Sequence, residues 1–168
     1  MKKFFLGMFF GWVFILIAGY VFLLSGAMPV RTMGNPLPLE RFVAKTALHA
    51  AFRDDVNKVS PLPADEINLL AGAKLYRHDC AVCHGLPGQN KTAIAAGLFP
   101  RPPQLFKHGV DDDPIGETYW KIKNGIRLTG MPGFEGRYSE TELWQVSLLL
   151  SKGADIPKTT NDTLSLAP

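Results

Sequence analysis

The chain has 168 residues, which is room for one domain of about 100 residues with appendages. Its 18 Lys and Arg against 15 Asp and Glu give a formal net charge of only +3. Within residues 60–157, ten basic and eleven acidic side chains nearly cancel. The clustered Lys and Arg of a nucleic-acid-binding face are missing, so the composition excludes that function and favours docking to protein partners through a weakly charged surface.

The N-terminal segment is strongly apolar. No charged residue occurs from Phe4 to Val30, a stretch of 27 residues. As a helix it would be about 40 Å long, whereas the hydrocarbon core of a bilayer is roughly 30 Å thick. We therefore predict that residues 1–30 are an uncleaved transmembrane anchor, with residues 4–30 in contact with the membrane.

A cleaved signal peptide is the alternative interpretation, because Ser25, Gly26 and Ala27 are small residues suited to processing. The apolar region of a signal peptide is normally only about 7 to 15 residues long, which is shorter than the one found here. Both interpretations give the same topology. Lys2 and Lys3 stay in the cytoplasm, and everything after the apolar run lies on the far side of the membrane.

Residues 31–63 form a predicted linker that contains one amphipathic helix. Pro36 and Pro38 interrupt regular structure, and apolar residues then recur at helical spacing from Leu39 to Asp55. We expect the modest apolar face of this helix to pack on the following domain or to lie at the bilayer interface. A docking helix for a larger complex is the alternative.

A second predicted helix starts near Ala64 and runs directly into Cys80-Ala81-Val82-Cys83-His84. This C-x-x-C-H pattern is the signature of covalent haem attachment. Two thiols at this spacing can reach the two vinyl groups of haem, while the next side chain turns under the iron. We predict one haem c, attached through Cys80 and Cys83, with His84 as the proximal nitrogen ligand.

Other roles for paired thiols fit the sequence less well. A thioredoxin-type redox pair is expected in a βαβ setting, which the flanking sequence does not offer. A structural zinc site needs four ligands. The chain has no third cysteine, and its remaining histidines lack zinc-ligand spacing: His49, His78 and His108. A chance placement of two core cysteines beside a histidine is the last alternative.

The segment from Gly85 to Lys107 is rich in Gly and Pro and shows no helical or strand periodicity. We predict a long loop that wraps the proximal edge of the cofactor. A short helix follows. An Asp before Pro114 is its predicted N-cap, Pro114 is its predicted first residue, and Asn124-Gly125 ends it.

Met131 is the candidate for the second axial ligand. It lies in a tight turn punctuated by Gly and Pro, 47 residues after His84, whereas core methionines fall on helical stripes. The remaining methionines belong to the N-terminal segment and the linker: Met1, Met8, Met28 and Met33. His108 is the alternative distal ligand. His78 is badly placed on the attachment helix, and His49 is expected at the surface.

The C-terminal part of the chain is predicted to contain one helix and a tail. Ser139 and Glu142 match the S-x-x-E capping box, apolar residues follow on one face, and Gly153 stops the helix. Residues 154–168 are polar and rich in Thr and Ser, and we predict a flexible tail there.

The attachment motif, the Pro-rich loop, the Met131 loop and the last helix together resemble a class I cytochrome c over residues 64–153. The sequence from Lys123 to Pro132 is similar to the distal loop of the c-type subunits of cbb3-type oxidases. The resemblance implies an all-α fold of three to four short helices around a haem. The transmembrane helix and the amphipathic helix would precede it.

The resemblance also implies two specific contacts. The first and last helices of the domain cross near Gly72, Tyr76 and Trp144. A proline carbonyl in the proximal loop accepts a hydrogen bond from His84 and orients its ring; Pro103 is the leading candidate, with Pro100 and Pro102 as alternatives.

The expected function follows from the number of ligands on the haem iron. With His84 and Met131 both bound, the iron has no open site, so we expect an electron-transfer protein with no small-molecule substrate, not an enzyme. The hypothesis is a monohaem carrier anchored in a bacterial inner membrane, with its haem domain in the periplasm, serving a membrane respiratory complex. The alternatives are a fixed haem subunit of an oxidase or dehydrogenase complex, and a haem enzyme or gas sensor with an open distal site.

Overall fold

The computed structural model describes residues 1–107 and 109–165. The chain divides into two units, Met1–Arg41 and a second that begins at Phe42. Among the described residues the regular structure is helical, with one isolated β-bridge between Glu135 and Tyr138. The all-α prediction is confirmed.

The first unit consists mainly of helix α1, Lys2–Leu24. An 18-residue window of this helix has a mean hydropathy of 2.2, and none of the helix residues is buried. At 1.5 Å per residue it extends about 35 Å, enough to cross a hydrocarbon core. In the described part of the chain this is the one helix long and apolar enough to do so, and a signal sequence meets the same criterion.

Helix α2 spans Glu40–Phe52, inside the predicted range. Phe52 is its one buried residue. The Phe52 ring lies 6.1 Å from the ring of Trp120, and the ammonium group of Lys121 lies 5.6 Å from the Phe52 ring centre. The last turn of α2 therefore packs on the domain that follows, as predicted, while Phe42 remains exposed.

The core of the second unit forms where helix α3, Glu66–Leu75, crosses helix α7, Glu140–Ser151. Gly72 makes the close approach possible, because a Cβ there would collide with the backbone carbonyl of Gln145. Tyr76 and Trp144 belong to the same buried cluster, so the predicted crossing is confirmed. Burial of each large apolar side chain in such a cluster contributes about 1.5–3 kcal/mol.

Local signals begin and end these helices. The Asp65 carboxylate accepts from the Asn68 N–H at 3.0 Å and caps α3, and Ser139 with Glu142 forms the predicted capping box of α7. Pro114 is the N-cap of α6, Ile115–Asn124, and not its first residue, because its ψ of 130° lies outside the helical range.

Two segments predicted to be irregular are helical. Thr92 caps a short helix α5, Ala93–Gly97, inside the proximal loop, where its hydroxyl accepts from the Ala95 N–H at 3.0 Å. Helix α8, Lys158–Ser165, occupies most of the predicted flexible tail. That prediction was wrong because α8 packs against α3. Although the segment is polar, the apolar side chain of Leu164 is fully buried there.

Candidate haem site

The attachment motif lies where helix α3 changes its winding. One π-type turn spans Tyr76–Cys80, and helix α4 follows over Ala81–His84. The buried Tyr76 hydroxyl donates to the carbonyl of Gly85 at 2.7 Å, and Gly85 ends the helix with a φ of 74° that favours glycine. Wider turns of this kind are frequent at functional sites. Cys80, Cys83 and His84 are all half-buried here.

His84 is oriented by the proximal loop. Its Nδ1 lies 2.8 Å from the carbonyl oxygen of Pro103. Since a carbonyl can only accept, Nδ1 carries the hydrogen, and Nε2 of the neutral ring keeps a free lone pair. Burial lowers the pKa of His84 and the hydrogen bond to Pro103 opposes that shift. The predicted contact is confirmed, and Pro103 is the proline that makes it.

Two glutamine side chains form hydrogen bonds within the proximal loop. The Gln104 side-chain amide donates to the carbonyl of Gln89 at 2.8 Å, and the Gln89 side chain accepts from the Leu86 N–H at 3.3 Å. Gln104 is buried directly after Pro103. The loop is thus fastened beside the residue that orients His84.

Met131 lies in a tightly folded loop between α6 and α7. The Ile126 N–H donates to the Met131 carbonyl at 3.2 Å. The Thr129 hydroxyl accepts from the Met131 N–H at 3.1 Å and donates to the Ile126 carbonyl at 2.6 Å. At Gly125 and Gly133 a Cβ would collide with the opposite strand of the loop, so glycine permits this close fold.

The predicted site residues come together. Cys80, Cys83, His84 and Met131 all line one largely apolar cleft of about 240 Å³. Burial raises the pKa of the Cys80 thiol to about 12, and the charges of Asp79 and Cys83 add to the effect. A redox-active thiol pair has a lowered pKa instead, so this environment is unlike a thioredoxin-type pair.

The other candidate ligands lie elsewhere or outside the described residues. His49 and His78 are exposed; the ring of His49 lies 5.3 Å from that of Phe52, and His78 faces Asp79 at 3.1 Å. His108, the alternative distal ligand, lies outside the described residues.

Asp79 is a cleft residue that the sequence did not single out. Its carboxylate accepts from the Tyr138 hydroxyl and from the Arg137 guanidinium. In the sequence, only its position directly before Cys80 indicated that Asp79 could belong to the site. Partners 58 and 59 residues away along the chain are not visible in a linear pattern.

The donor set fits a haem. Two thiols at attachment spacing, an imidazole with its Nε2 lone pair free and a thioether share one apolar cleft within an all-α domain. The fold and the site define a c-type cytochrome domain with covalently bound haem c. Residues 68–148 match the family model described as cytochrome c oxidase, cbb3-type, subunit III. The domain is therefore a c-type cytochrome similar to subunit III of cbb3-type oxidases.

Chains in solved structures also resemble this chain. A chain of the Kuenenia stuttgartiensis reducing HAO-like protein complex superposes with a TM-score of 0.47 and 25% sequence identity, covering 57% of this chain. The match spans 47% of that chain, about half of its length. The comparison with curated proteins found no match.

Proposed function

We propose that the protein is a membrane-anchored monohaem cytochrome that carries single electrons between respiratory protein partners, with His84 and Met131 as its axial ligands. The observation that carries the proposal is the shared cleft, which brings the attachment thiols, the imidazole and the thioether together. Haem c supplies one-electron chemistry when bound, and Met/His ligation favours a higher reduction potential.

The chain's own residues have three tasks in this proposal. Cys80 and Cys83 hold the cofactor covalently, and Pro103 fixes the tautomer and orientation of His84. The apolar side chains of the cleft exclude water. If His84 and Met131 both bind the iron, no position is left for a substrate, and electron exchange with docked proteins is the activity that remains.

We propose that α1 anchors the chain and keeps the cytochrome domain on the periplasmic side of a bacterial inner membrane. The uncharged, mainly apolar residues of α1 from Phe4 to Leu24 and the preceding Lys2 and Lys3 support this orientation. Residues 1–30 would be the anchor, residues 31–63 the linker and residues 64–153 the cytochrome domain. Tethering raises the effective concentration of the domain near membrane-bound partners.

A second candidate function is a fixed haem subunit of a larger membrane complex. The observation that favours it is the matched family, whose description is that of an oxidase subunit. Extraction in mild detergent separates the two candidates. A carrier migrates alone as a monomer, whereas a subunit copurifies with the same partners in constant stoichiometry.

The ligand assignment is tested by Met131→Ala in the haem-loaded protein. We expect the variant to lose the native absorption spectrum, to have a lower reduction potential and to bind carbon monoxide rapidly when reduced. Met33→Ala is the matched control, because Met33 is exposed in the linker and its loss leaves all three properties unchanged. A Met131→Ala protein with native absorption and potential would refute the assignment and favour an enzyme or gas sensor with an open distal position.

A further inference from the structure

Asp79 joins the attachment segment to the chain that follows Met131. Its side chain is only 12% exposed, and it lines the cleft one residue before Cys80. Both of its oxygens are engaged. One accepts from the guanidinium of Arg137 and the other from the hydroxyl of Tyr138.

Arg137 and Tyr138 belong to a hydrogen-bonded turn that begins three residues after Met131. Phe134 lines the cleft, and its ring stacks on that of Tyr138 at 5.1 Å. The Phe134 N–H donates to the carbonyl of Lys123 at 3.0 Å, and the Tyr138 N–H donates to the carbonyl of Phe134 at 2.9 Å. Tyr138 is therefore linked through Phe134 to the end of the Met131 loop.

Asp79 is charged in this setting. Burial alone would raise the pKa of Asp79, but hydrogen bonds from Tyr138 and His78 and the charge of Arg137 outweigh burial and hold the pKa below its usual value. A carboxylate with charge-assisted partners makes stronger hydrogen bonds than a neutral group does. The contact thus resists opening at neutral pH.

We propose that Asp79, Arg137 and Tyr138 form a clamp that holds the Met131 loop closed over the cleft and so keeps the distal side inaccessible to external ligands. The inference rests on the proposed axial role of Met131. Asp79 and Tyr138 act as positioning residues, through Phe134 and the loop. Loosening the clamp leaves His84 and the two thiols in place but lets the Met131 loop open more often.

The domain contains a matched control for the clamp. Glu140 accepts from the hydroxyl of Tyr119 and from Lys123, the same combination of carboxylate, tyrosine and cation. That group joins α6 to α7, and neither Glu140 nor Tyr119 lines the cleft. Equivalent substitutions in the two groups therefore weaken or remove hydrogen bonds between the same chemical groups at different places.

The experiment measures the rate at which carbon monoxide binds to the reduced, haem-loaded protein. We expect Asp79→Asn and Tyr138→Phe to bind it about 10-fold faster than the wild type, since each substitution weakens a hydrogen bond to a charged group. Glu140→Gln and Tyr119→Phe should match the wild-type rate. Far-UV circular dichroism checks that each variant keeps its helix content, and the two independent clamp substitutions guard against a single unstable protein.

The outcomes separate the clamp from the proposed function. If the wild type binds slowly and both clamp variants bind equally slowly, the clamp is refuted while the ligand assignment stands. If clamp and control variants accelerate binding to the same extent, general destabilisation is the cause and the clamp is also refuted. If the wild type itself binds carbon monoxide rapidly, the proposed axial role of Met131 fails, and the clamp fails with it.

Discussion

His84 and Met131 line the same cleft, but different kinds of contact hold them. His84 belongs to a helical turn and donates one hydrogen bond to a carbonyl 19 residues later. Met131 belongs to a loop that is folded on itself by glycines and a threonine, and that loop is joined to Asp79 from a distant part of the chain. The contacts of the proximal side join residues at most 19 positions apart, whereas the distal side depends on a contact between residues 59 positions apart. We therefore expect the distal side to be the more easily opened of the two.

The largest effect is expected from removing the proximal nitrogen. His84→Ala leaves nothing for Pro103 to orient, and we expect the fraction of chain that carries haem to fall roughly 10-fold or more. Met131→Ala should retain its haem, because attachment and the proximal contact are intact. Haem content per chain, measured from the absorption of the denatured protein, checks both. Equal haem content in the two variants would contradict the expectation that His84 contributes more to haem retention than Met131 does.

Next come two glycines with similar positive φ angles, one beside the Met131 loop and one in the proximal loop. Gly125 ends α6 with a φ of 68° beside the Met131 loop, and Gly88 has a φ of 73° in the proximal loop. A Cβ at Gly125 would collide with the backbone of Gly133, whereas no atom of the described residues lies within 4 Å of one at Gly88. Gly88→Ala should cost only the positive-φ strain of about 1 kcal/mol.

Gly125→Ala should cost about 3 kcal/mol, because the steric collision adds to the same strain. Urea unfolding of the haem-loaded proteins measures both free energies. Gly125→Ala should also accelerate carbon monoxide binding, and Gly88→Ala should not. If the two variants are equally destabilised, the close approach of the loop backbone is not a constraint.

A smaller effect concerns pH. Because the pKa of Asp79 lies below its usual value in the folded protein, its charge contributes stability that is fully present above the unfolded pKa of about 3.9 and is lost as the pH falls through the folded pKa. Asp79→Asn should thus lower the free energy of unfolding by about 1–2 kcal/mol at neutral pH. The difference from the wild type should shrink as the pH falls below about 3.9 and through the folded pKa of Asp79. A difference that does not change with pH would show that ionisation of Asp79 contributes nothing.

Structural features that depend on residues close together along the chain could be predicted from the sequence. The capping box of Ser139 and Glu142, the end of α6 at Gly125 and the attachment motif are all readable over a few positions, and the structure has the predicted helix boundaries there. Pro103 was identified through the family resemblance. The proximal side of the cleft was therefore largely predictable.

Contacts between distant residues were not predictable in the same way. The link from Asp79 to Tyr138 joins residues 59 positions apart, and no local pattern marks it. Helix α8 buries Thr160 and Leu164 in an otherwise polar segment, so composition indicated a flexible tail. In both cases the stabilising partner is distant along the chain, and a linear pattern does not specify it.

The smallest effect compares two helix caps. The Ser139 hydroxyl accepts from the Glu142 N–H at 3.3 Å at the start of α7, and the Thr92 hydroxyl accepts from the Ala95 N–H at 3.0 Å at the start of α5. Removing either hydroxyl by substitution with Ala deletes one N-cap hydrogen bond, which typically contributes about 1 kcal/mol. Helix α7 carries much of the core, whereas α5 is a five-residue helix in the proximal loop.

Ser139→Ala should therefore lower the global free energy of unfolding by about 1 kcal/mol. Thr92→Ala should leave the global value nearly unchanged and increase hydrogen exchange only in α5, because a short surface helix opens without unfolding the core. Urea unfolding and residue-resolved hydrogen exchange distinguish the two. If Thr92→Ala lowers the global free energy of unfolding as much as Ser139→Ala does, the proximal loop unfolds together with the core. The proximal and distal sides would then not differ in how easily they open.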